Sequence, residues 1–497
     1  MSLCNWKFNP SLPALLVCIS LFACKDDTRE GPDGSVASES AENGLYGVAD
    51  KNKPRHVLFV VIDTLRADHL SCYGYWRKTS LYIDLLAERG VKFDRAISQS
   101  SWTSPSMVAL MTGRRVSRRR IQIPGGSPTL AEHFQEAGYA TGAFVANQLL
   151  YAKNGFNRGF DSFTEGRLPD TDGIVEWISE NKDNDTFTWV HFTDPHDPYL
   201  PRGRYKTGTP GKLTDRTTAM LKDAVETEGF KNLEEQSALM IEQIGLYDDE
   251  ITWVDHKVGR LLNALSVTEN LDNAIIVLTS DHGECLWERR EIDGVVQHGA
   301  RARGEKPRLK DRLKQGHGGF VYQEFIRVPL IINAPGLERG RIENAVAESV
   351  NVTATILDLA GIPYDQKILD GKSLFGSEIL PGAYSMTNLG ESFVSEEGWK
   401  LIYPTEAGAE GLSIEIQLYD LNQDPHEQNN LAGKHPEKVA ELFETLVGRR
   451  ETALPLVTSF DQEVEENLQA LQALGYVGDI IEFDPATDEG PETDDDE

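Results

Sequence analysis

Cysteine is scarce in this chain. Of five in 497 residues, Cys4, Cys18 and Cys24 crowd the N-terminus, leaving only Cys72 and Cys285 beyond it. Two distant cysteines exclude a disulfide framework of the kind that staples small secreted domains. Positive charge is also short: 49 Lys and Arg stand against 79 Asp and Glu, a formal net charge of −30. Polyanions are repelled by such a field, which excludes nucleic acid as a main partner. Past the N-terminus no apolar run approaches the roughly 18 residues of a membrane-spanning helix. No internal repeat marks a solenoid. What is present is ordinary globular composition, 40% hydrophobic and 26% charged. That length allows two to four average domains, or one large α/β domain with a smaller partner.

The ends of the chain read differently from its body. Lys7 gives a weak positive start, and Leu12 to Ala23 is an apolar run too short to span a bilayer. The closing Leu21-Phe22-Ala23-Cys24 resembles the lipobox of bacterial lipoproteins. That resemblance implies a signal peptide over 1–23 and a lipid anchor at Cys24. The mature protein is then exported and held on the periplasmic or cell-surface side of a bacterial membrane. Residues 24–53, rich in Asp, Glu, Gly and Ser, read as a flexible tether. At the other end, residues 479–497 carry ten carboxylates and no Lys or Arg, and read as a solvated acidic tail.

Between these ends the hydrophobic pattern alternates. His56 to Ile62 is a β-branched run suited to a strand buried on both faces. Ser80 to Arg89 follows with helical spacing. Helices are expected over Thr129–Ala137, Thr171–Asn181, Leu233–Leu265 and Val350–Leu359, with strands over Ala140–Ala146, Phe187–Phe192, Ala274–Thr279 and Val328–Ile332. This predicts an α/β fold over 54–384, a mainly parallel sheet flanked by helices. From residue 385 to 478 short strands (Trp399–Tyr403, Gln417–Leu421) and one helix (Pro436–Val447) predict a smaller C-terminal α+β subdomain.

Ligands in parallel sheets collect beyond the carboxyl ends of the strands. Three polar groups are expected there: Asp63, the run His191 to His196, and Asp281-His282. Asp63, Asp281 and His282 with the Thr103 hydroxyl make an O/N shell for one divalent cation, which lowers the pKa of a hydroxyl and draws charge from an ester oxygen. Thr103 lies in Trp102-Thr103-Ser104-Pro105-Ser106, which reads as the start of a short helix. Pro105 suits the first helical position, Thr103 or Ser104 can cap it, and Gly113 is placed to end it. His196 sits between Pro195 and Pro198 in a loop that those prolines stiffen, and His317 in Gly316-His317-Gly318 and His298 in Gln297-His298-Gly299 are further candidates. A basic insertion, about 285–315, carries dense Arg and Lys from Arg301 to Lys314 and reads as a solvated loop or a lid for polyanions.

Taken together, these motifs resemble the sulfatase family of the alkaline-phosphatase-like superfamily. The resemblance rests on Val61-Ile62-Asp63-Thr64-Leu65-Arg66-Ala67-Asp68, on Thr103 through Thr112-Gly113-Arg114, and on Asp194-Pro195-His196-Asp197-Pro198-Tyr199. It extends through Ser280-Asp281-His282-Gly283-Glu284, His317-Gly318 with Tyr322-Gln323-Glu324, and Leu418-Tyr419-Asp420-Leu421 with Asp424-Pro425 and Glu427. It implies an ester hydrolase with one divalent metal on Asp63, Asp281 and His282: calcium by family, with magnesium, manganese or zinc also suited. Thr103 is then the nucleophile, His196 and His317 the proton-transfer groups, and Arg114, His298 and Asn147 the substrate contacts. The implied substrate is a sulfated or phosphorylated glycan or a small ester.

The departures from the family pattern point elsewhere. Where sulfatases carry a Cys or Ser that is oxidised to an aldehyde, this chain has Thr103, whose carbinol carbon bears a methyl and cannot become one. Met107 replaces an Arg, Thr64 a second Asp, and Gly319 a Lys, and a Gly-Lys-x-His element is missing near Asn147. Relatives with an unmodified Thr nucleophile act on phosphorus. A phosphodiesterase, or a transferase of phosphoglycerol or phosphoethanolamine, is therefore the alternative expectation, and a catalytically silent binding protein tethered to the surface is another.

Overall fold

The computed structural model describes residues 55–116, 122–166, 171–208, 210–228, 233–290, 313–378, 381–405 and 414–453. The signal, Cys24, the tether, the acidic tail, and the 291–312 part of the basic insertion with His298 lie outside the described residues.

An eight-stranded sheet organises the chain. Its strands are β1 (His56–Ile62), β2 (Val91–Ile97), β3 (Ala140–Val145), β4 (Ser162–Glu165), β5 (Thr186–Phe192) and β6 (Ala274–Thr279), then β9 (Arg327–Asn333) and β10 (Arg341–Glu348). The spatial order is β10-β2-β9-β6-β1-β5-β3-β4. All strands share one direction except β9, which runs antiparallel to both β6 and β2. The mainly parallel reading holds, with one reversal that no hydrophobic pattern encodes.

Strand β1 shows why the sheet is covered on both sides. Val57, Phe59 and Val61 face one core with Met107, Leu110, Leu130, Phe134 and Ile356. Leu58, Val60 and Ile62 face the other with Ile83, Ile174, Ile251, Val254 and Val258. Successive side chains of a strand alternate faces, so a run apolar at every position must be buried twice. The first core receives α2 (Thr103–Thr112), α3 (Leu130–Glu136) and the helix Asn351–Ala360; the second receives α1 (Leu81–Arg89), α4 (Thr171–Glu180), α5 (Asp215–Glu228) and the long α6 (Leu233–Val267). Helix α3 starts on a capping box, Thr129 accepting from the Glu132 N–H while Glu132 accepts from the Thr129 N–H.

A four-stranded antiparallel sheet, β11 (Gly382–Met386), β12 (Gly390–Ser395), β13 (Trp399–Pro404) and β14 (Gln417–Asp420), packs with the helix Pro436–Thr452 around Tyr384, Leu401, Leu418, Leu442 and Leu446. The Met386 N–H donates to Gln99 O at 2.8 Å, joining this sheet to the loop before α2. The described ends of the basic insertion pair as two antiparallel strands, β7 (Cys285–Arg290) and β8 (Leu313–Gly316). They bring His317 back toward Glu284, as the site geometry shows.

Candidate active site

Register brings the polar groups together. Ile62 pairs with Phe192 and Val61 with Thr279, so β1, β5 and β6 end at nearly the same level. The Asp63 N–H still donates to Phe192 O at 2.9 Å, carrying the pairing one residue past the strand. Asp63, Asp281 and His282 are each fully buried just beyond these ends. Their ligand atoms all lie within 4.8 Å of one another.

The hydrogen bonds orient each group. His282 Nδ1 lies 3.0 Å from Gly283 O. A carbonyl can only accept, so Nδ1 carries the proton and Nε2 faces inward. Nε2 is 3.2 Å from Thr103 Oγ1, 3.6 Å from Asp63 Oδ1 and 3.6 Å from Asp281 Oδ2. Asp281 Oδ1 accepts from the His282 N–H at 2.9 Å and the Thr64 N–H at 3.3 Å, which leaves Oδ2 on the inner side. Gly283 is required here, because a Cβ would stand 2.2 Å from Glu324 O.

Two buried carboxylates facing one imidazole nitrogen fit a cation at their centre. Burial, and then Asp281, raise the Asp63 carboxyl above the usual range. For Asp281 burial acts in the same upward sense, but the charge of His282 and the His191 ring, whose Nε2 lies 3.7 Å from Oδ2, outweigh it and hold it low. Asn147 donates to Asp63 Oδ2 at 2.9 Å while its Oδ1 accepts from the Leu149 N–H at 3.0 Å. The structure therefore gives Asn147 the orientation of Asp63, whatever its relation to substrate.

Helix α2 delivers the hydroxyl. Trp102 is its N-cap in extended conformation with no side-chain cap, and Thr103 is already the first helical residue. The expected capping by Thr103 or Ser104 is thus absent, and Pro105 stands third in the helix. Thr103 is released to face His282, at the end of the helix where free N–H groups favour negative charge. Gly113 ends the helix as expected, at φ 63 with its N–H on Ala109 O. Arg114 lies at that opposite end, about 15 Å along the axis for ten residues. Its Nε donates to Asp370 Oδ2 at 3.0 Å. The structure does not bring Arg114 to Thr103. Met107 is likewise fully buried in the core below α2.

A second imidazole pair lies beside the first cluster. The His317 ring is 4.6 Å from that of His282 and 4.9 Å from that of His196, centroid to centroid. His317 Nδ1 lies 3.2 Å from Glu284 Oε1. Burial, followed by the charges of His282 and His196, pushes His317 well below the ordinary histidine range. Burial acts in the same sense on His196, but Asp63, Glu284 and the Asp197 carbonyl outweigh it and raise it. Glu284 and Tyr199 complete this side. Neither stands out as a site residue from sequence, although each ends a motif of the resemblance, Glu284 after Gly283 and Tyr199 after Pro198. In sequence Tyr247 is one more aromatic within the long helical pattern Leu233–Leu265.

A family model described as Sulfatase matches residues 55–171 and 170–362, more than half of the chain. The protein belongs to the sulfatase family. Among curated relatives, the N-acetylgalactosamine-6-O-sulfatase of Bacteroides thetaiotaomicron is 27% identical over 486 residues, covering 80% of this chain and 93% of the relative. The choline-sulfatase of Rhizobium meliloti is 25% identical over 70% of this chain and 76% of its own. Among solved structures, one in complex with its substrate D-glucosamine-2-N,6-O-disulfate superposes at a TM-score of 0.64 with 19% identity, over 80% of this chain and 98% of that one. The phosphonate monoester hydrolase of Agrobacterium radiobacter superposes at 0.61, also at 19% identity, over 80% and 96%. These superpositions establish that the sulfatase carries the family's fold, and family membership makes it an ester hydrolase.

Proposed function

We propose that this sulfatase cleaves a sulfate ester of a glycan, using Thr103 as nucleophile and a divalent ion held by Asp63, Asp281 and His282. The observation that carries the reading is Thr103 Oγ1 at 3.2 Å from His282 Nε2, within the buried triad. When bound, the ion supplies Lewis-acid chemistry, lowering the hydroxyl pKa and drawing charge from an ester oxygen. Calcium, magnesium, manganese and zinc all accept such an O/N donor set.

The chain's own groups do the rest. Thr103 Oγ1, its proton given up to solvent beforehand, attacks sulfur as the bond to the leaving oxygen breaks, and the same oxygen departs when water later takes its place on sulfur. The leaving oxygen takes a proton from His196, which the surrounding carboxylates favour in its protonated form. His317, held neutral and oriented by Glu284, accepts a proton from the water that releases the covalent ester. Two imidazoles pushed in opposite directions suit an acid and a base working in sequence. The N-acetylgalactosamine-6-O-sulfatase and N-acetylglucosamine-6-O-sulfatase among its relatives support a glycan substrate. Anchoring through Cys24 on the outer side of a bacterial membrane places the enzyme where such polymers are met.

Thr103 itself favours a second reading, hydrolysis of a phosphate or phosphonate ester, because it cannot be converted to an aldehyde. Parallel assays on matched aryl sulfate, phosphate monoester and phosphodiester decide between them. Sulfate release, lost on chelation and in Thr103→Ala, is the expected result; a Thr103→Ala protein with normal turnover would end the mechanism.

A further inference from the structure

Thr64 directly follows Asp63 and adopts φ 55. A β-branched residue in the left-handed region is a genuine outlier, held only where its surroundings impose it. The strain has a consequence for the site. By turning there, the chain directs the Thr64 N–H to Asp281 Oδ1 at 3.3 Å and the Leu65 N–H to Ser280 Oγ at 3.0 Å. The turn after β1 is thereby tied to the end of β6, so Asp63 and Asp281 face each other.

One side chain grips the turn from outside. Tyr247, on α6 and fully buried, donates its hydroxyl to Thr64 O at 2.8 Å and accepts from the Arg66 N–H at 3.0 Å. It spans the turn like a staple. Its ring also meets Tyr199, in the loop that carries His196, edge to face at 5.4 Å between centroids. Tyr247 thus contacts both the turn that follows Asp63 and the loop that carries His196.

We infer that Tyr247 is a positioning residue for metal binding: its hydroxyl holds the strained Thr64 turn so that Asp63 and Asp281 are set for one ion. The inference rests on the proposed metal site. Partners that orient a ligand typically change metal affinity by about 10- to 100-fold when removed.

The test measures divalent-ion affinity on chelator-stripped full-length protein, with calcium, magnesium, manganese and zinc each titrated alone, and thermal unfolding with and without the ion. Tyr247→Phe keeps the ring and removes the hydroxyl. Its affinity is expected to fall at least about tenfold, with the ion-dependent gain in Tm reduced more than the Tm of the stripped protein. Adding Thr64→Gly should recover much of the affinity, since glycine takes positive φ without strain. Unchanged affinity in Tyr247→Phe, equal Tm losses with and without ion, or no recovery in the double variant overturns the inference. Should Tyr247→Phe fail to fold, Thr64→Gly alone carries the test: binding within about threefold of the parent is expected, and a loss beyond tenfold overturns it. Absence of stoichiometric binding by the parent itself would instead refute the metal site.

Discussion

Thr103 Oγ1 lies 3.2 Å from His282 Nε2, although 179 positions separate the two residues in sequence. His282 gives its other ring nitrogen to Gly283 O, so the nitrogen nearest the hydroxyl is the one turned toward Asp63 and Asp281. Replacing Thr103 by Ala should lower turnover at least about a thousandfold, as for other removed nucleophiles. Circular dichroism and metal content measured beside the assay should show the fold and the ion retained. Thr103→Ser should keep more activity than Thr103→Ala.

Asn147 is hydrogen-bonded to Asp63. Its amide donates 2.9 Å to Asp63 Oδ2, and its own oxygen is engaged by the Leu149 N–H. Asn147→Ala is expected to weaken metal affinity by about 10-fold or more. If KM for substrate rose while metal affinity stayed constant, Asn147 would be a substrate contact instead.

Arg114 gives the contrasting outcome. Its salt bridge with Asp370 at 3.0 Å is partly exposed and stands at the far end of α2. Arg114→Ala should cost at most about 1 kcal/mol of stability, the usual value for such pairs. Its kcat/KM should match the parent; a selective rise in KM would restore Arg114 to the substrate site.

Lys400 and Glu427 form a buried ion pair at 2.6 Å, both side chains fully enclosed. Arg289 bonds the same glutamate at 3.0 Å and also pairs with Glu324. This network links β13 to the segment after His317, since Lys400 also donates to Val321 O. Lys400→Met leaves Glu427 short of one cation and is expected to destabilise by about 3–5 kcal/mol. Urea unfolding measures it directly; a loss below about 1 kcal/mol would show that Arg289 alone suffices.

Asp255 supplies a pH dependence away from the site. From α6 it accepts the backbone N–H groups of Tyr82 at 3.0 Å and Ile83 at 2.8 Å, at the start of α1. Burial raises its pKa to about 7, its hydrogen bonds working against the shift. The unfolded chain releases this proton first, near pH 4. Its stabilising contribution is therefore complete below about pH 4 and is lost as pH rises to about 7. From about pH 5 to about pH 8 the loss is roughly 3 kcal/mol. Asp255→Asn should flatten that decline in Tm, and an unchanged slope would assign the pH dependence to other groups.

Much of this was legible in the residues. Strands β1, β5 and β6 announce themselves because a strand buried on both faces is apolar at every position. Strand β2 is hidden by Lys92, Asp94 and Arg95, and β10 by Arg341, Glu343 and Asn344. Such mixed segments carry neither helical nor strand periodicity. Asp63, Thr103, Asp281 and His282 were found through their placement at element ends, and the structure gathers all four. The placement of Arg114 could not be found that way, because Arg114 and Thr103 lie in one short segment that the helix carries to opposite ends.

By itself, the sequence determined the buried parallel strands, the helix ended by Gly113 and the acidic and imidazole groups poised beyond the strands. These are local properties, set by side-chain chemistry and periodicity over a few residues. Only the tertiary structure decided that β9 runs against its neighbours, that Glu284 orients His317, and that Tyr247 clamps the turn after Asp63. Those relationships join positions from 33 to 241 residues apart. They depend on strand register and helix packing, which bring atoms to hydrogen-bonding distance only when the whole core has formed.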